Sequence, residues 1–126
     1  MCGEINSSRS KTNYTRGVEA EDYAASHLER DGYSILQRRY KTKFGEVDLI
    51  VLKDQILCFV EVKARPVLVD ALDAVTMRTR RRIEKSALYF ISQNIEYTDY
   101  DMRFDVVAVT EGEEITHLDN AWYAGA

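Results

Sequence analysis

The chain has 126 residues, a net charge of −4, 45% hydrophobic residues and one proline. That length and composition suit one domain with a real core and exclude a disordered or collagen-like chain. No apolar run approaches the ~18 residues a membrane helix needs, and Met1 to Lys11 holds no hydrophobic segment. The cytoplasm is the expected compartment. Cys2 and Cys58 point to reduced thiols rather than a disulfide framework. His27 and His117 form no zinc-like cluster with them.

Residues 1–14 are Ser- and Asn-rich and are expected to form a flexible arm, leaving 15–126 as a single domain. A helix is predicted from about Arg16 to Arg30, with Gly32 as its C-cap. At 100° per residue Val18, Glu21, Ala25 and Leu28 share its inner stripe, with Ala24 at the edge. An inward Glu21 either pairs with a core-side Lys or Arg or reaches a functional site. Tyr33 to Tyr40 reads as a first strand, and Lys41 to Phe44 as the loop after it.

Gly45 to Ile50 and Phe59 to Arg65 read as the two central strands, crowded with apolar residues. Taking Asp54 and Gln55 as a two-residue turn pairs Lys53 with Ile56, Leu52 with Leu57 and Ile50 with Phe59. Asp48 then opposes Glu61, and Glu46 opposes Lys63. Like charges directly opposite destabilise a sheet, and a buried unpaired carboxylate is costly. A divalent cation removes both problems. Asp48, Glu61 and a nearby backbone carbonyl, that of Val62, suit Mg²⁺ or Mn²⁺. Lys63 is placed to act beside the metal. The competing reading is a metal-free network in which Lys63 neutralises Glu61 and Glu46. A three-residue turn would instead send Asp48 to the other face.

Pro66 ends the third strand, since it cannot donate to a ladder. One long helix is predicted from about Asp70 to Gln93, with Val75, Thr79, Ile83, Ala87 and Ile91 on its buried side and Leu72 and Phe90 beside them. Arg78, Arg82 and Lys85 fall together on another side. With Arg38, Arg39, Lys41 and Lys43 they are the candidate nucleic-acid contacts, because local patches rather than net charge decide where phosphate docks. A solvated helix face is the alternative. Arg103 to Thr110 and Glu114 to Leu118 complete the strands, with Glu111-Gly112-Glu113 as the turn between them. The order α-β-β-β-α-β-β predicts an α/β fold, a mixed sheet flanked by helices.

Asp48 followed by Glu61-Val62-Lys63 is similar to the Asp…Glu-x-Lys core of the PD-(D/E)xK nuclease superfamily. The longer set is more specific. Gly32-Tyr33, Gly45-Glu46-Val47-Asp48-Leu49-Ile50, Phe59-Val60-Glu61-Val62-Lys63-Ala64-Arg65 and Arg103-Phe104-Asp105-Val106-Val107 resemble the YraN-like family of bacterial proteins. That family is grouped by analogy with the Holliday-junction-resolvase branch of those nucleases. The resemblance runs from about Gly17 to Ala121. It implies a restriction-endonuclease-like core and a metal-dependent endonuclease acting on DNA, with branched or structured DNA among the candidate substrates. It also implies Asp48 and Glu61 as metal ligands, Lys63 as the catalytic lysine and Glu21 as the helix-borne acid. Three positions depart from the family's pattern: Ala20 for a frequent Gly, Arg39 for a common Asn, and Thr79 for a frequent Lys. A binding or partner-recruiting module without turnover stays open, as does a homodimer.

Overall fold

The computed structural model describes residues 13–125, with side chains from residue 17 onward. The arm expected over 1–14 lies outside the described residues as far as residue 12, and so does Cys2. Helix α1 spans Asn13–Arg30. It ends as the sequence predicts: the Tyr33 N–H returns to the Leu28 carbonyl and the Gly32 N–H to that of Glu29, with Gly32 at φ +94°. Its buried side is carried by Ala20, Ala24, Ala25 and Leu28. The inner stripe is therefore rotated from the predicted one, and Val18 and Glu21 lie at its margin. Small alanines let the helix sit close to the sheet, and this outweighs the presence of the larger Val18.

Strands β1 (Ser34–Thr42), β2 (Gly45–Lys53) and β3 (Ile56–Ala64) follow as two consecutive hairpins. The β2–β3 register is the predicted one over the pairs Lys53–Ile56, Leu52–Leu57 and Ile50–Phe59. Asp54 takes the left-handed conformation at φ +55°, as such a tight turn requires.

The predicted long helix is in fact two, α2 (Leu68–Asp73) and α3 (Met77–Gln93). Thr76 makes the break. Its backbone is extended and its hydroxyl accepts from the Thr79 N–H at 3.2 Å, so it caps a new helix rather than continuing the old one. The four-residue spacing from Val75 to Thr79 conceals that cap. On α3 the buried residues are Ile83, Ser86, Ala87 and Phe90.

Strand β4 (Asp101–Thr110) pairs parallel with β3, and β5 (Glu114–Trp122) pairs antiparallel with β4. Strand β5 runs farther than the expected Glu114–Leu118 because Trp122 is buried, stacked on Phe104 at 5.2 Å. The result is one five-stranded mixed sheet in the order β1-β2-β3-β4-β5. Helix α1 covers one side over Leu49, Val51, Cys58 and Val60. Helix α3 covers the other over Ile50, Leu57, Phe59 and Phe104. Strand β3 is buried on both sides, which explains its nearly unbroken apolar run. No helix among the described residues is long and apolar enough to cross a membrane.

Candidate metal and phosphate site

Cross-strand pairing between β2 and β3 stops at Leu49–Val60, one step before Asp48 would meet Glu61. The alternation of β2 fails at the same place. Leu49 and Val51 pack under α1, yet Val47 packs with Ile50 on the α3 side. In place of a ladder bond, the Val62 N–H donates to Asp48 Oδ2 at 2.8 Å. The carboxylate is thus inserted between the two strands instead of standing on one face. Asp48 also hydrogen-bonds to Glu61.

Glu61 is only 6% exposed, and Lys63 Nζ lies 3.2 Å from its Oε2. Both follow Phe59 at two-residue steps, so they share the α3 side of the sheet. The expected Glu46 partner is not there. Glu46 is exposed and stands opposite Lys41 of β1, while Lys63 is paired with Glu61. Glu21 enters from α1 and bonds Arg39 Nε at 2.9 Å. Of the two outcomes open for an inward Glu21, the structure shows the ion pair, and this carboxylate still acts on Asp48 through space.

Burial, first, and then the charge and hydrogen bond of Glu61 push the Asp48 carboxyl up to about 9, against the lowering effect of the Val62 N–H. Asp48 therefore carries a proton at neutral pH when no cation is present. The donor set fits a hard divalent ion, which would take the place of that proton between two adjoining carboxylates. Among the described residues no group of three or more His, Cys, Asp and Glu side chains is placed to hold a metal. The protein's own contribution would be Asp48, Glu61 and the Val62 carbonyl, the remaining ligands being waters.

The comparisons with known proteins bear on this set of residues. The model of the uncharacterised protein family UPF0102 matches residues 20–109. The chain belongs to that family, the YraN-like one. Relatives include UPF0102 protein mlr4633 of Mesorhizobium japonicum, 43% identical over 98% of both chains. UPF0102 protein RPA0323 of Rhodopseudomonas palustris is 41% identical over 88% of this chain and 85% of its own. A UPF0102 protein of Chelativorans sp. is 38% identical over 98% and 99% respectively. The matched stretch contains Glu21, Asp48, Glu61 and Lys63.

The cations divide into two groups. Arg38 and Arg39 are engaged with Asp22 and Glu21 on the α1 side. Lys41, Lys43, Arg78, Arg82 and Lys85 show no ion pair among the described residues. The turn after β1 and helix α3 are joined: Thr42 Oγ1 bonds Ser86 Oγ at 2.9 Å, and it also accepts from the Phe44 and Gly45 N–H groups. A Cβ on Gly45 would lie 3.2 Å from Cβ of Arg82, so the turn sits directly on the helix. The turn that carries Lys43 is thus packed on the helix that carries Arg82, near the start of β2, whereas Lys41 lies between Tyr40 and Thr42, which both face α3, and so points to the other side of β1. An open cleft of about 360 Å³ lies on the α1 side, bordered by Ala20, Tyr23, Ala64 and Arg65. None of Asp48, Glu61 or Lys63 lines it.

Sequence reasoning missed a second polar cluster, around Asp105. It accepts from both Arg103 Nε and Nη2 at 2.9 Å and lies 2.7 Å from His117 Nε2. The available signal was an Arg and an Asp two apart in a strand otherwise apolar, which puts both on one face.

The metal-free state of the Asp48–Glu61 pair has a consequence for stability. A carboxyl whose folded pKa is raised binds a proton that the unfolded chain has given up, so it costs stability as pH rises from about 4 toward 9. Asp48→Asn removes that cost, because the amide keeps an acceptor for Val62 and offers Glu61 a donor. The metal-free mutant is expected to melt above wild type at neutral pH. The gap should widen with pH by up to about 1.4 kcal/mol per unit. Thermal melts across that range in a chelator check it, and parallel curves would remove the shared proton.

Proposed function

We propose that the protein is a divalent-metal-dependent nuclease, hydrolysing phosphodiester bonds in DNA, with Asp48, Glu61 and Lys63 as its reactive set. The observation that carries the reading is the opened β2–β3 ladder, where two adjoining carboxylates and a lysine meet. Asp48 and Glu61 would hold Mg²⁺ or Mn²⁺. Once bound, such an ion lowers the pKa of its water and polarises a phosphoryl oxygen. Lys63, held beside Glu61, would orient or deprotonate the attacking water, or offset charge on the phosphate. The α3 face and the turn after β1 hold the flanking backbone, through interactions that position without reading bases. The likeness of Asp48 and Glu61-Val62-Lys63 to the PD-(D/E)xK core supports the same chemistry. The test is cleavage of branched, flapped and linear substrates with Mg²⁺ or Mn²⁺, against a chelated control. Failure on the whole panel would remove the reading.

One observation favours a second reading, a nucleic-acid-binding module without turnover. Glu21, the helix-borne acid, is committed to Arg39 rather than to the Asp48–Glu61 pair.

Binding itself is testable apart from cleavage. Charge reversal at Arg78 and Arg82 should weaken nucleic-acid affinity with little change in sequence preference. The slope of log affinity against log salt should fall by about one for each phosphate that is no longer neutralised. Fluorescence titrations at several salt concentrations read both. An unchanged slope would leave the helix face merely solvated.

A further inference from the structure

Arg80 is a half-buried cation without a counter-charge among the described residues. Its Nε is shut off from water and has no hydrogen-bond partner, the one buried side-chain nitrogen or oxygen among the described residues left so. Its Nη1 reaches only the Met77 sulfur, a weak acceptor, at 3.9 Å, and its Nη2 stands open to solvent. The guanidinium lies over the Trp122 ring, 5.5 Å from the centroid. By helical spacing the natural partner is Glu84, four residues on. That carboxylate is taken instead by Arg81 Nη1 through both oxygens, by the Trp122 Nε1–H at 2.9 Å and by the Gly125 N–H at 3.3 Å. Glu84 thus fixes the Trp122 ring and leaves the cation seated on it unpaired.

An arginine withdrawn from water is ordinarily paired, and an orphaned buried donor points to an ion from outside. The contact with Met77, three residues earlier, places the guanidinium beside the first turn of α3. There the partial positive charge of a 17-residue helix adds to its own. The planar fork of Arg matches phosphate oxygens with two parallel N–H bonds, and the ring beneath holds the fork in place. We propose that Arg80, seated on Trp122, is a binding site for a phosphate group, carried by free phosphate or by a nucleic-acid backbone. The site is separate from the Arg78 and Arg82 side of α3, from which it is turned by about 200°. It needs neither the metal nor turnover.

Trp122 is the chain's single tryptophan, so its emission reports on the stack. Wild type, Arg80→Met and Arg80→Lys are titrated in a chelator with inorganic phosphate and with a single-stranded oligonucleotide lacking terminal phosphates. Sodium chloride at equal ionic strength is the blank. Wild-type emission should change saturably with at least one ligand, and the same ligand should raise the melting temperature. Arg80→Met keeps an unbranched stem on the ring and should bind about tenfold more weakly or worse, with no rise in melting temperature. Arg80→Lys keeps the charge without the fork and should fall between. If Arg80→Met does not fold, Arg80→Gln takes its place. Saturation by inorganic phosphate supports the site with free phosphate as its source, and saturation by the oligonucleotide alone supports it with the backbone as its source. A wild type that answers neither ligand, or a charge-free variant whose melting temperature rises as much, overturns the proposal. Neither result touches the metal-site reading, since no metal and no cleavage enter the measurement.

Discussion

Lys63→Met should lower metal-dependent cleavage by at least ~10²-fold while leaving nucleic-acid binding near the wild-type level. Methionine keeps an unbranched stem for packing and removes only the ammonium. The prediction separates two roles that one ion pair allows. Lys63 Nζ is 3.2 Å from Glu61 Oε2, a distance that serves charge balance as well as it serves catalysis. A lysine needed only to balance Glu61 is a stability residue, and its loss would lower the melting temperature and leave the rate intact well below it. A lysine acting on water or phosphate is a rate residue. Rates are therefore compared far below the melting point of both proteins. Glu46→Gln is the control. Glu46 is exposed and faces Lys41 across the β1–β2 ladder, so its loss should cost far less activity. If wild type cleaves nothing faster than Lys63→Met, the enzyme reading falls and the binding module becomes the better account.

The sequence discloses this site as far as local rules reach. A two-residue turn at Asp54-Gln55 sets the register of β2 and β3, and the register brings Asp48 toward Glu61. What it does not disclose is the way β2 changes face at Asp48. That shift is a local departure from the pleat, and no pattern of apolar residues records it, because Val47, Leu49 and Ile50 are apolar whichever side they take. The break between α2 and α3 is legible in principle, through Thr76 as a cap. The four-residue spacing across it is the stronger pattern and masks the cap. The partners of the charged residues are the least legible. Arg39 with Glu21, and Thr42 with Ser86, meet only after the chain has folded, and nothing in the neighbourhood of either residue names the other.

Asp105 is where the fold should prove most sensitive. Its side chain is fully buried and carries Arg103 through two hydrogen bonds, the Asn120 N–H at 3.0 Å and His117 at 2.7 Å. Arg103 Nη2 in turn donates to the Tyr33 hydroxyl at 2.6 Å. One carboxylate therefore ties β4 to β5 across an irregular register and reaches the chain entering β1. Asp105→Asn keeps the shape and removes the charge, leaving Arg103 only 17% exposed and unpaired. Breaking a buried pair in this way costs about 3–5 kcal/mol, against a total of about 5–15 for a typical domain. The pH dependence gives the effect a signature. Burial alone would raise the Asp105 pKa, but the bonds from His117, Arg103 and the Asn120 N–H outweigh it and hold the carboxyl below its ordinary value. A depressed folded pKa adds stability above the unfolded value near 3.8 and loses it as pH falls through the folded one. The deficit of Asp105→Asn should thus be full at neutral pH and should narrow in acid, where wild type loses the same charge. Urea unfolding at neutral and acid pH measures both arms. A neutral-pH loss below about 1 kcal/mol would place Asp105 among ordinary surface ion pairs and take the cluster out of the stability of the fold.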